Sequence, residues 1–269
     1  MKIKQSWIWP VVGAMCSSLS AQADLTTVNT GGSWDGNPPG TLYTVMQSLL
    51  GNSGYNVNAA VNRVDDSSDQ IWTAANGTGA STMLLTIAGF RGVNSFGIFN
   101  LSNPSQTLQI FGGGTSPTTS QSIGFDNGTV TVNGNSLHVG TDFGFYLNTP
   151  NNTWYSVQGL NTYEGDDGGD QMVTLKTSTS QLLNLSAPNL AGWGSPGGTV
   201  AWNLGSFILG WEDLPVNGSD KGDVDYQDMV LEISGVTPVP EPTTVLAGAM
   251  LLLPFGIQTL RIFRKRLMA

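Results

Sequence analysis

The residues best suited to chemistry in this sequence are carboxylates clustered near its C-terminal end. Seven of them lie between Glu212 and Glu232, with Lys221 as the only basic residue among them. Like charges within about 4–6 Å raise one another's pKa and destabilise a fold unless a cation lies between them. Calcium suits such a cluster because it takes about six to eight oxygen ligands in flexible geometry. We therefore predict a calcium site with the candidate ligands Glu212, Asp213, Asp223, Asp225 and Asp228.

The sequence around these acids indicates how they come together. Residues 207–211 and 229–233 have the composition of β-strands, and a glycine-containing loop separates them. A hairpin of these strands would bring Glu212 and Asp228 to one end of the sheet. Asp223 and Asp225 are spaced i and i+2, so both can face one side of an extended loop. The glycine and glutamate spacing of an EF-hand is missing. The alternative interpretation is a solvated acidic loop that binds nothing.

The net charge of the chain limits the classes of molecule that it can bind. Between Asp24 and Glu241 the sequence has nineteen acidic residues but four basic ones (Arg63, Arg91, Lys176 and Lys221), so this part has a net charge of −15, against −9 for the whole chain. Nucleic acid is excluded as a partner because its phosphates would be repelled. The 35 glycines and the charged fraction of 11% are typical of a turn-rich, secreted all-β domain.

Short β-type runs separated by turn residues predict an all-β sandwich over residues 81–236. The predicted strands are residues 83–87, 96–99, 107–111, 129–132, 143–147, 153–157, 171–175, 200–204, 207–211 and 229–233. Asp126-Asn127-Gly128 and Asn133-Gly134 predict turns on either side of the fourth strand. The core is expected to include Leu85, Ile87, Phe96, Ile98, Phe145, Val173, Ile208, Met229, Leu231 and Ile233.

One short helix is expected ahead of the sandwich, within a lead-in segment of residues 24–80. Apolar residues recur at helical spacing between Leu42 and Leu50, Thr41 can cap the start, and Gly51 can end the helix. We predict that this helix packs on the core. Residues 52–80 show little periodicity and are expected to form a loop with a solvated acidic face made of Asp65, Asp66 and Asp69.

The sequence does not predict an enzyme. His138 is the only histidine and lies in an alternating, strand-like stretch, where a structural role is expected. Gly-x-Ser-x-Gly turns, phosphate-binding loops and zinc-ligand spacings are missing. A calcium-dependent carbohydrate-binding module is the alternative to a structural protein, since aromatic residues could stack on sugar rings, although aromatic residues in strands usually pack the core. The candidates for stacking are Trp154, Tyr155, Trp193 and Trp202.

The N-terminal residues have the features of a secretory signal peptide. Lys2 and Lys4 are followed by an apolar run over residues 7–15, and Ala21-Gln22-Ala23 precedes Asp24 as a small-residue cleavage site. We predict removal of residues 1–23. Cys16, the only cysteine, lies in this segment, so the mature chain would have no disulfide although it enters an oxidising compartment.

The C-terminal residues predict a membrane-spanning helix. An apolar run from Val245 to Leu260 would span roughly 24 Å as a helix, or roughly 28 Å when extended to Phe263, against a hydrocarbon core of about 30 Å. The basic residues Arg264, Lys265 and Arg266 follow at once, and such residues hold their end of a helix in the cytoplasm. We predict a transmembrane helix at residues 245–263, with the residues before it on the far side.

This tail, taken from residue 237 to residue 269, resembles the PEP-CTERM sorting signal. The match consists of Pro240-Glu241-Pro242, one apolar segment and a short basic end. The resemblance implies a precursor in the inner membrane of a Gram-negative bacterium and an exosortase-type membrane protease that releases or re-anchors the chain at the cell surface. Such systems accompany exopolysaccharide production, so it also implies a biofilm role with extracellular polysaccharide as a candidate partner. The alternative is an anchor helix that is never processed.

Residues 81–233 resemble an uncharacterised domain family of bacterial surface proteins, which also occurs in large calcium-dependent adhesins. The matching residues are Trp211-Glu212-Asp213-Leu214, Asp223-Val224-Asp225-Tyr226-Gln227-Asp228-Met229-Val230 and Phe143-Gly144-Phe145-Tyr146-Leu147. The resemblance implies a metal-dependent β-sandwich at the cell surface, with no established enzymatic activity. Gln227 replaces the usual Asn and Gln171 the usual His, which puts binding in doubt if either position contacts the site.

Both terminal signals generate one prediction. Surface material analysed by mass spectrometry should contain a chain that starts at Asp24 and lacks peptides from residues 246–260. Replacing Pro240, Glu241 and Pro242 with alanine should leave the precursor in the inner membrane, because the protease would not recognise the tail. Removing only Arg264, Lys265 and Arg266 should instead disturb orientation. Recovery of peptides from residues 246–260 in exported protein would contradict processing.

Overall fold

The computed structural model describes residues 25–28, 41–85, 90, 92–163, 169–186, 197–217 and 221–240. Within them the chain is mostly antiparallel β-sheet, with two helices, α1 (Leu42–Leu50) and α2 (Ala59–Asn62), and a 3-10 turn at Gln158–Leu160. The strands are β1 (Ile71–Thr73), β2 (Gly77–Leu85), β3 (Ser95–Asn100), β4 (Asn103–Phe111), β5 (Ser120–Asp126), β6 (Thr129–Val132), β7 (Asn135–His138), β8 (Asp142–Asn148), β9 (Thr153–Tyr155), β10 (Met172–Lys176), β11 (Gln181–Asn184), β12 (Thr199–Trp202), β13 (Phe207–Trp211), β14 (Met229–Ser234) and β15 (Thr237–Val239).

These strands form two large sheets and a small one. The six-stranded sheet has the order β15-β1-β8-β3-β4, with β9 paired to β8. The seven-stranded sheet has the order β10-β13-β14-β2-β5-β6-β7, and β11 pairs with β12 separately. Neighbouring strands are antiparallel throughout the described part. For the described residues, the prediction of an all-β fold is therefore confirmed.

Two apolar clusters hold these layers together. Leu209 of β13 and Leu231 of β14 belong to a cluster that also contains residues of the six-stranded sheet, so this cluster lies between the two large sheets. Their neighbours Ile208 and Val230 belong to a second cluster, which α1 shares. This alternation follows from the two-residue period of a strand. The seven-stranded sheet is thus covered on both faces, by a sheet on one side and by α1 on the other.

Helix α1 forms where the sequence predicts it. The hydroxyl of Thr41 accepts a hydrogen bond from the backbone N–H of Thr44, and the hydroxyl of Thr44 accepts one from the N–H of Thr41. This reciprocal arrangement satisfies two donors that a helix start otherwise leaves free. Gly51 ends the helix with a φ of 55°. The predicted apolar stripe is buried, so the packing role is confirmed.

All ten predicted strands are present, and the turns around β6 are confirmed as well. Asn127 and Gly128 have φ values of 45° and 77°, and Asn133 and Gly134 have φ values of 50° and 79°. Two consecutive residues with positive φ make the two-residue turns that suit hairpins. Five strands were not predicted, namely β1, β5, β7, β11 and β15.

Residues 52–80 were wrongly predicted to be a loop. They contain α2, the strand β1 and the first part of β2. The strand β1 pairs with both β8 and β15, so the sheets begin before residue 81 and extend past residue 236 to Val239. The strands β1 and β15 were not predicted because each has only three residues, which is too short to show a period of two.

The two predicted membrane-related segments lie outside the described residues, which begin at residue 25 and end at residue 240. This applies to the signal peptide and its cleavage site at Ala21 to Asp24, to most of the sorting motif, and to the basic end. Among the helices of the described residues, none has the length and apolar character needed to cross a membrane.

Eight of the ten predicted core residues are buried, from Phe96 to Ile233. The side chain of Leu85 and the whole of Ile87 lie outside the described residues. Leu231 is 0% exposed, whereas Leu182, on β11, is 60% exposed.

The contrast between these two leucines gives a matched test of the core. Leu231→Ala should lower the free energy of unfolding by about 2–5 kcal/mol, because it removes buried methyl groups and leaves a cavity. Leu182→Ala removes the same atoms from an exposed position and should change stability by less than about 0.5 kcal/mol. Urea denaturation measures both. Equal effects of the two substitutions would contradict the placement of Leu231.

Candidate metal centre

The predicted hairpin places the acidic residues at one end of the seven-stranded sheet. Strands β13 and β14 are antiparallel, with Trp211 opposite Met229. The backbone N–H of Asp228 donates to the carbonyl of Trp211 over 3.1 Å. Glu212 follows β13 directly and Asp228 immediately precedes β14, so the two carboxylates leave the sheet at the same end. The predicted hairpin is confirmed.

In the loop that leads to β14, every second residue from Val224 to Tyr226 has a positive φ. Val224 and Tyr226 both have a φ of 60°, which is unusual for residues with a side chain and especially for a β-branched one. Their side chains are buried in the apolar cluster beneath α1. Asp223 precedes Val224, and Asp225 lies between Val224 and Tyr226. The carboxylates of both approach the side chain of Glu212 instead. The loop therefore packs two apolar residues on one side and presents two acids on the other.

All five predicted ligands come together in two groups of three. Within each group, one oxygen of every carboxylate lies within 4.8 Å of the others. The first group is Glu212, Asp213 and Asp228, and the second is Glu212, Asp223 and Asp225. Glu212 belongs to both. We call these five residues the acidic cluster.

The acidic cluster is largely removed from water. Glu212, Asp213, Asp225 and Asp228 are buried, and Asp223 is half-buried. Backbone donors hold several of the carboxylates: the N–H of Asp225 donates to Glu212 Oε2 over 3.2 Å, and the N–H of Asp213 donates to Asp228 Oδ2 over 2.8 Å. These hydrogen bonds orient the carboxylates but supply no positive charge.

Burial and mutual repulsion raise the pKa values of these acids. Burial is the main cause for Glu212, whose pKa lies well above its usual value, and the charges of Asp223 and Asp225 raise it further. Burial likewise raises the pKa of Asp228 well above its usual value, followed by the charges of Glu212 and Asp213. The pKa of Asp213 is also raised by burial. A site that penalises ionised carboxylates in this way requires protons or a cation.

For Glu212, Asp213 and Asp228, no basic side chain in the described part of the chain supplies that cation. The ion pairs found there both involve Arg63, which contacts Asp66 and Asp170 and none of the acidic cluster. Bound protons or a bound cation can compensate the charge of these carboxylates. The geometry of the cluster permits one, since three carboxylate oxygens converge in each group.

Three residues outside the predicted ligand set also contact the cluster. The side-chain amide of Asn94 donates to Asp213 Oδ2 over 2.7 Å. The carbonyl of Gln171 accepts from the N–H of Glu212 over 3.0 Å, and the side-chain amide of Gln227 donates to Asp225 Oδ2. The two glutamines that depart from the family pattern thus both lie at the site. Asn94 was missed because it comes from a distant loop, and nothing in its local sequence marks it.

A second buried polar cluster corrects the prediction of a solvated acidic face. Asp66 and Asp69 are buried, whereas Asp65 is half-buried. Arg63 Nη2 lies 2.6 Å from Asp66 Oδ1 and 3.9 Å from Asp170 Oδ2. Burial raises the pKa values of Asp69 and Asp170 well above their usual range. The available signal was Arg63 itself, the only basic residue between Asp24 and Arg91.

This second cluster also holds the first described residues of the chain. The N–H of Thr26 donates to Asp66 Oδ2, and its hydroxyl donates to Asp170 Oδ2 over 3.1 Å. Arg63 Nη1 in turn donates to the carbonyl of Thr26 over 3.5 Å. The segment that would follow the predicted cleavage site is thereby fastened to the sandwich.

The aromatic residues considered for sugar stacking are mostly packed inside. Trp154 is buried between the sheets, with Nε1 donating to the carbonyl of Asp213 over 3.0 Å. Trp202 is buried in the cluster beneath α1. Tyr155 is half-buried, and Trp193 lies outside the described residues. Stacking by Trp154 and Trp202 was therefore a wrong expectation. His138 is exposed at the end of β7, near Thr129.

Comparisons with protein-family models, curated proteins and solved structures found no match for this chain. The resemblances to the PEP-CTERM sorting signal and to the surface-protein domain family therefore stay predictions from the motifs quoted above. Interpretation of the site rests on its own geometry.

Arg63 provides a test of charge compensation within the fold. Arg63→Gln should lower the free energy of unfolding by about 3–5 kcal/mol at pH 7, because it leaves Asp66 and Asp170 buried without their cation. Lys176→Gln is the control, since this lysine is exposed on β10 and should contribute little. Urea denaturation measures both variants. The proposed compensation is rejected if Arg63→Gln is as stable as Lys176→Gln.

Proposed function

We propose that this chain is an exported, surface-sorted structural or extracellular-matrix protein whose β-sandwich is stabilised by calcium. Its setting would be the exopolysaccharide or biofilm at the cell surface. The terminal motifs support export and sorting, and the acidic cluster supports calcium binding. The proposed role is structural, because a cation held by these carboxylates would join the two strands of the hairpin.

The observation that carries the proposal is the convergence of five carboxylates, of which Glu212, Asp213 and Asp228 are buried without a basic partner in the described part of the chain. Each unpaired buried charge costs several kcal/mol in a folded protein. The acids occupy both sides of a hairpin whose strands are otherwise well packed, so the fold retains them at a cost. A function that needs the carboxylates explains this cost, and cation binding is the function that their grouping fits.

Calcium fits these ligands better than other common ions. The cluster offers carboxylate oxygens, whereas zinc and copper sites typically use histidine or cysteine. Magnesium demands near-octahedral geometry and keeps several of its waters, which a buried set of protein carboxylates does not favour. Calcium accepts irregular oxygen shells, and extracellular modules bind it at dissociation constants of about 10⁻⁴–10⁻³ M.

Calcium bound here would connect three parts of the sandwich. Glu212 and Asp213 follow β13, Asp228 precedes β14, and the Asp223–Asp225 segment lies between them. The carbonyl of Asp225 also accepts a hydrogen bond from the N–H of Leu42, the first residue of α1, over 2.9 Å. Ordering of the acidic loop by a cation would therefore stabilise the docking of α1 as well as the hairpin.

Close packing at Gly210 reinforces this connection. A side-chain Cβ at position 210 would lie 2.6 Å from Leu42 Cδ2 and 2.6 Å from the carbonyl oxygen of Tyr226. The strand β13 can therefore approach both the helix and the loop because residue 210 is glycine. Movement of the loop would disturb the first turn of α1 directly.

The test is a melting experiment with and without calcium. At about a hundredfold excess over the dissociation constant, calcium should stabilise the fold by about 2.7 kcal/mol, so a chelator should lower the melting temperature. Asp225→Asn should remove most of this response. Asp126→Asn is the matched control, because Asp126 is exposed on β5 and outside the cluster, and should respond as the wild type does. Equal melting of wild type in chelator and in millimolar calcium would refute the proposal.

The calcium response should also depend on pH in a defined direction. Without calcium, the raised pKa values of Glu212, Asp213 and Asp228 mean that the folded chain binds protons more readily than the unfolded chain. Stability in chelator should therefore be greatest at acid pH and fall as pH rises through these pKa values. Protons also compete with calcium for the same oxygens. The difference in melting temperature between calcium and chelator should shrink as pH falls.

A further inference from the structure

Asp213 is a member of the acidic cluster that the six-stranded sheet contacts directly. It follows Glu212 at the end of β13, which belongs to the seven-stranded sheet. From the other sheet, the side-chain amide of Asn94, the residue before β3, donates to Asp213 Oδ2 over 2.7 Å. The indole N–H of Trp154, on β9, donates to the carbonyl of Asp213 over 3.0 Å. An ion bound at Asp213 would therefore lie where the two large sheets meet.

The side-chain amide of Asn94 is only partly satisfied by its contact with Asp213. Asn94 is 0% exposed, and its Oδ1 has no hydrogen-bond partner within the described ranges. Such an oxygen can accept two hydrogen bonds, and a buried acceptor without a donor is costly. A positively charged partner beside this oxygen would remove that cost.

A calcium ion at Asp213 would need oxygens besides those of the acids. One carboxylate oxygen each from Glu212, Asp213 and Asp228 lie within 4.8 Å of one another, and oxygens bound at about 2.3–2.6 Å from one ion are at most about 5 Å apart. Even with one oxygen from every acid of the cluster, at least one position of a shell of about six to eight oxygens remains. Calcium accepts side-chain amides, backbone carbonyls and water at such positions.

The amide of Asn94 can present either of its ends to Asp213. The terminal torsion of an asparagine side chain is broad and roughly two-fold, and a half-turn exchanges the positions of Oδ1 and Nδ2. An N–H donor suits a carboxylate oxygen that has no cation beside it. A cation on the same carboxylate repels the N–H hydrogens and attracts a carbonyl oxygen, which favours the other orientation. The same side chain therefore suits Asp213 both with and without a bound cation.

We propose that Asn94 is a ligand of the calcium ion through its side-chain oxygen, so that the ion joins the two large sheets. This inference rests on the proposed function, namely that the acidic cluster binds calcium. The carboxylates alone would connect β13 to β14 within one sheet. Asn94 lies 119 residues before Asp213 and next to β3, so its coordination would extend the cross-link across the core to the six-stranded sheet.

Calcium titration of the full-length chain by calorimetry tests this role. Asn94→Ala should weaken calcium binding by at least about tenfold, a loss typical of changes around a metal site. Asn94→Leu, which keeps the approximate shape of the side chain but has no oxygen, should weaken it similarly and serves if the alanine variant does not fold. Asn135→Ala is the matched control, because Asn135 is exposed on β7, and it should bind calcium as the wild type does.

A second measurement counts the ligands directly. Terbium replaces calcium in oxygen-ligand sites, and its luminescence lifetimes in H₂O and D₂O report the number of waters on the ion. Asn94→Ala should carry one more water than the wild type, because water takes the position of the lost side-chain oxygen. Asn135→Ala should carry the wild-type number.

A purely hydrogen-bonding role of Asn94 predicts different results. Asn94→Ala would then lower the melting temperature equally in calcium and in chelator, with the terbium water number unchanged and the calcium affinity unchanged or increased. That outcome would overturn the ligand role of Asn94 and leave the calcium-stabilised fold intact. A wild type that binds no calcium would overturn both. Weaker calcium binding together with one additional water supports the inference.

Discussion

Four carboxylates are buried where β13 ends and β14 begins, and the parts of the fold that meet there depend on compensation of their charge. The hairpin itself is ordinary, with apolar residues alternating between the two core clusters. Repulsion between Glu212 and Asp228 opposes the pairing that their strands favour. The apolar packing of Leu209 and Leu231 therefore works against electrostatics at this end of the sheet. A cation between the acids would remove this opposition between apolar packing and charge repulsion, because the strand pairing that buries the apolar residues would also bring the ligands of the cation together.

The loop that contains Asp223 and Asp225 connects the acidic cluster to helix α1, which covers the outer face of the seven-stranded sheet. Val224 and Tyr226 adopt left-handed backbone conformations and bury their side chains beneath α1, which leaves the intervening Asp225 on the opposite side. The carbonyl of Asp225 binds the first N–H of α1, so one residue contributes its carboxylate to the cluster and its backbone to the helix. Backbone strain of this kind persists only when the surrounding contacts enforce it. Packing beneath α1 provides contacts on one side, and the acidic cluster provides them on the other.

Local patterns predicted most of the hairpin and of the ligand set, because both depend on residues close together in sequence. The strands on either side of the acids follow from their composition. The i, i+2 spacing of Asp223 and Asp225 predicted that both lie on one side of the loop, although the backbone between them is left-handed at Val224 and not extended. Asn94 could not be predicted, because it reaches the cluster from a separate part of the chain. Gln171 was considered only through the family resemblance, because it is also distant in sequence from the acids. The burial of Asp66 and Asp69 was missed for a related reason: Asp170, their distant neighbour, and Arg63 form the cluster only after the sheet has assembled. Short strands such as β1 lack a period that could reveal them.

Both buried polar clusters contain carboxylates whose negative charge must be compensated, and the compensating charge differs between them. Arg63 lies inside the cluster that contains Asp66 and Asp170, so the positive charge that compensates these acids belongs to the chain and does not depend on the medium. For the acidic cluster, we propose that the compensating charge comes from dissolved calcium. The clusters meet at Asp170 and Gln171, since the hydroxyl of Tyr226 donates to the carbonyl of Asp170 over 2.6 Å and the carbonyl of Gln171 accepts from Glu212. After Cys16 the sequence has no cysteine, so a disulfide cannot fasten this end of the sheet. In the function proposed above, carboxylates from both ends of the hairpin would offer another cross-link, one that forms when calcium is present.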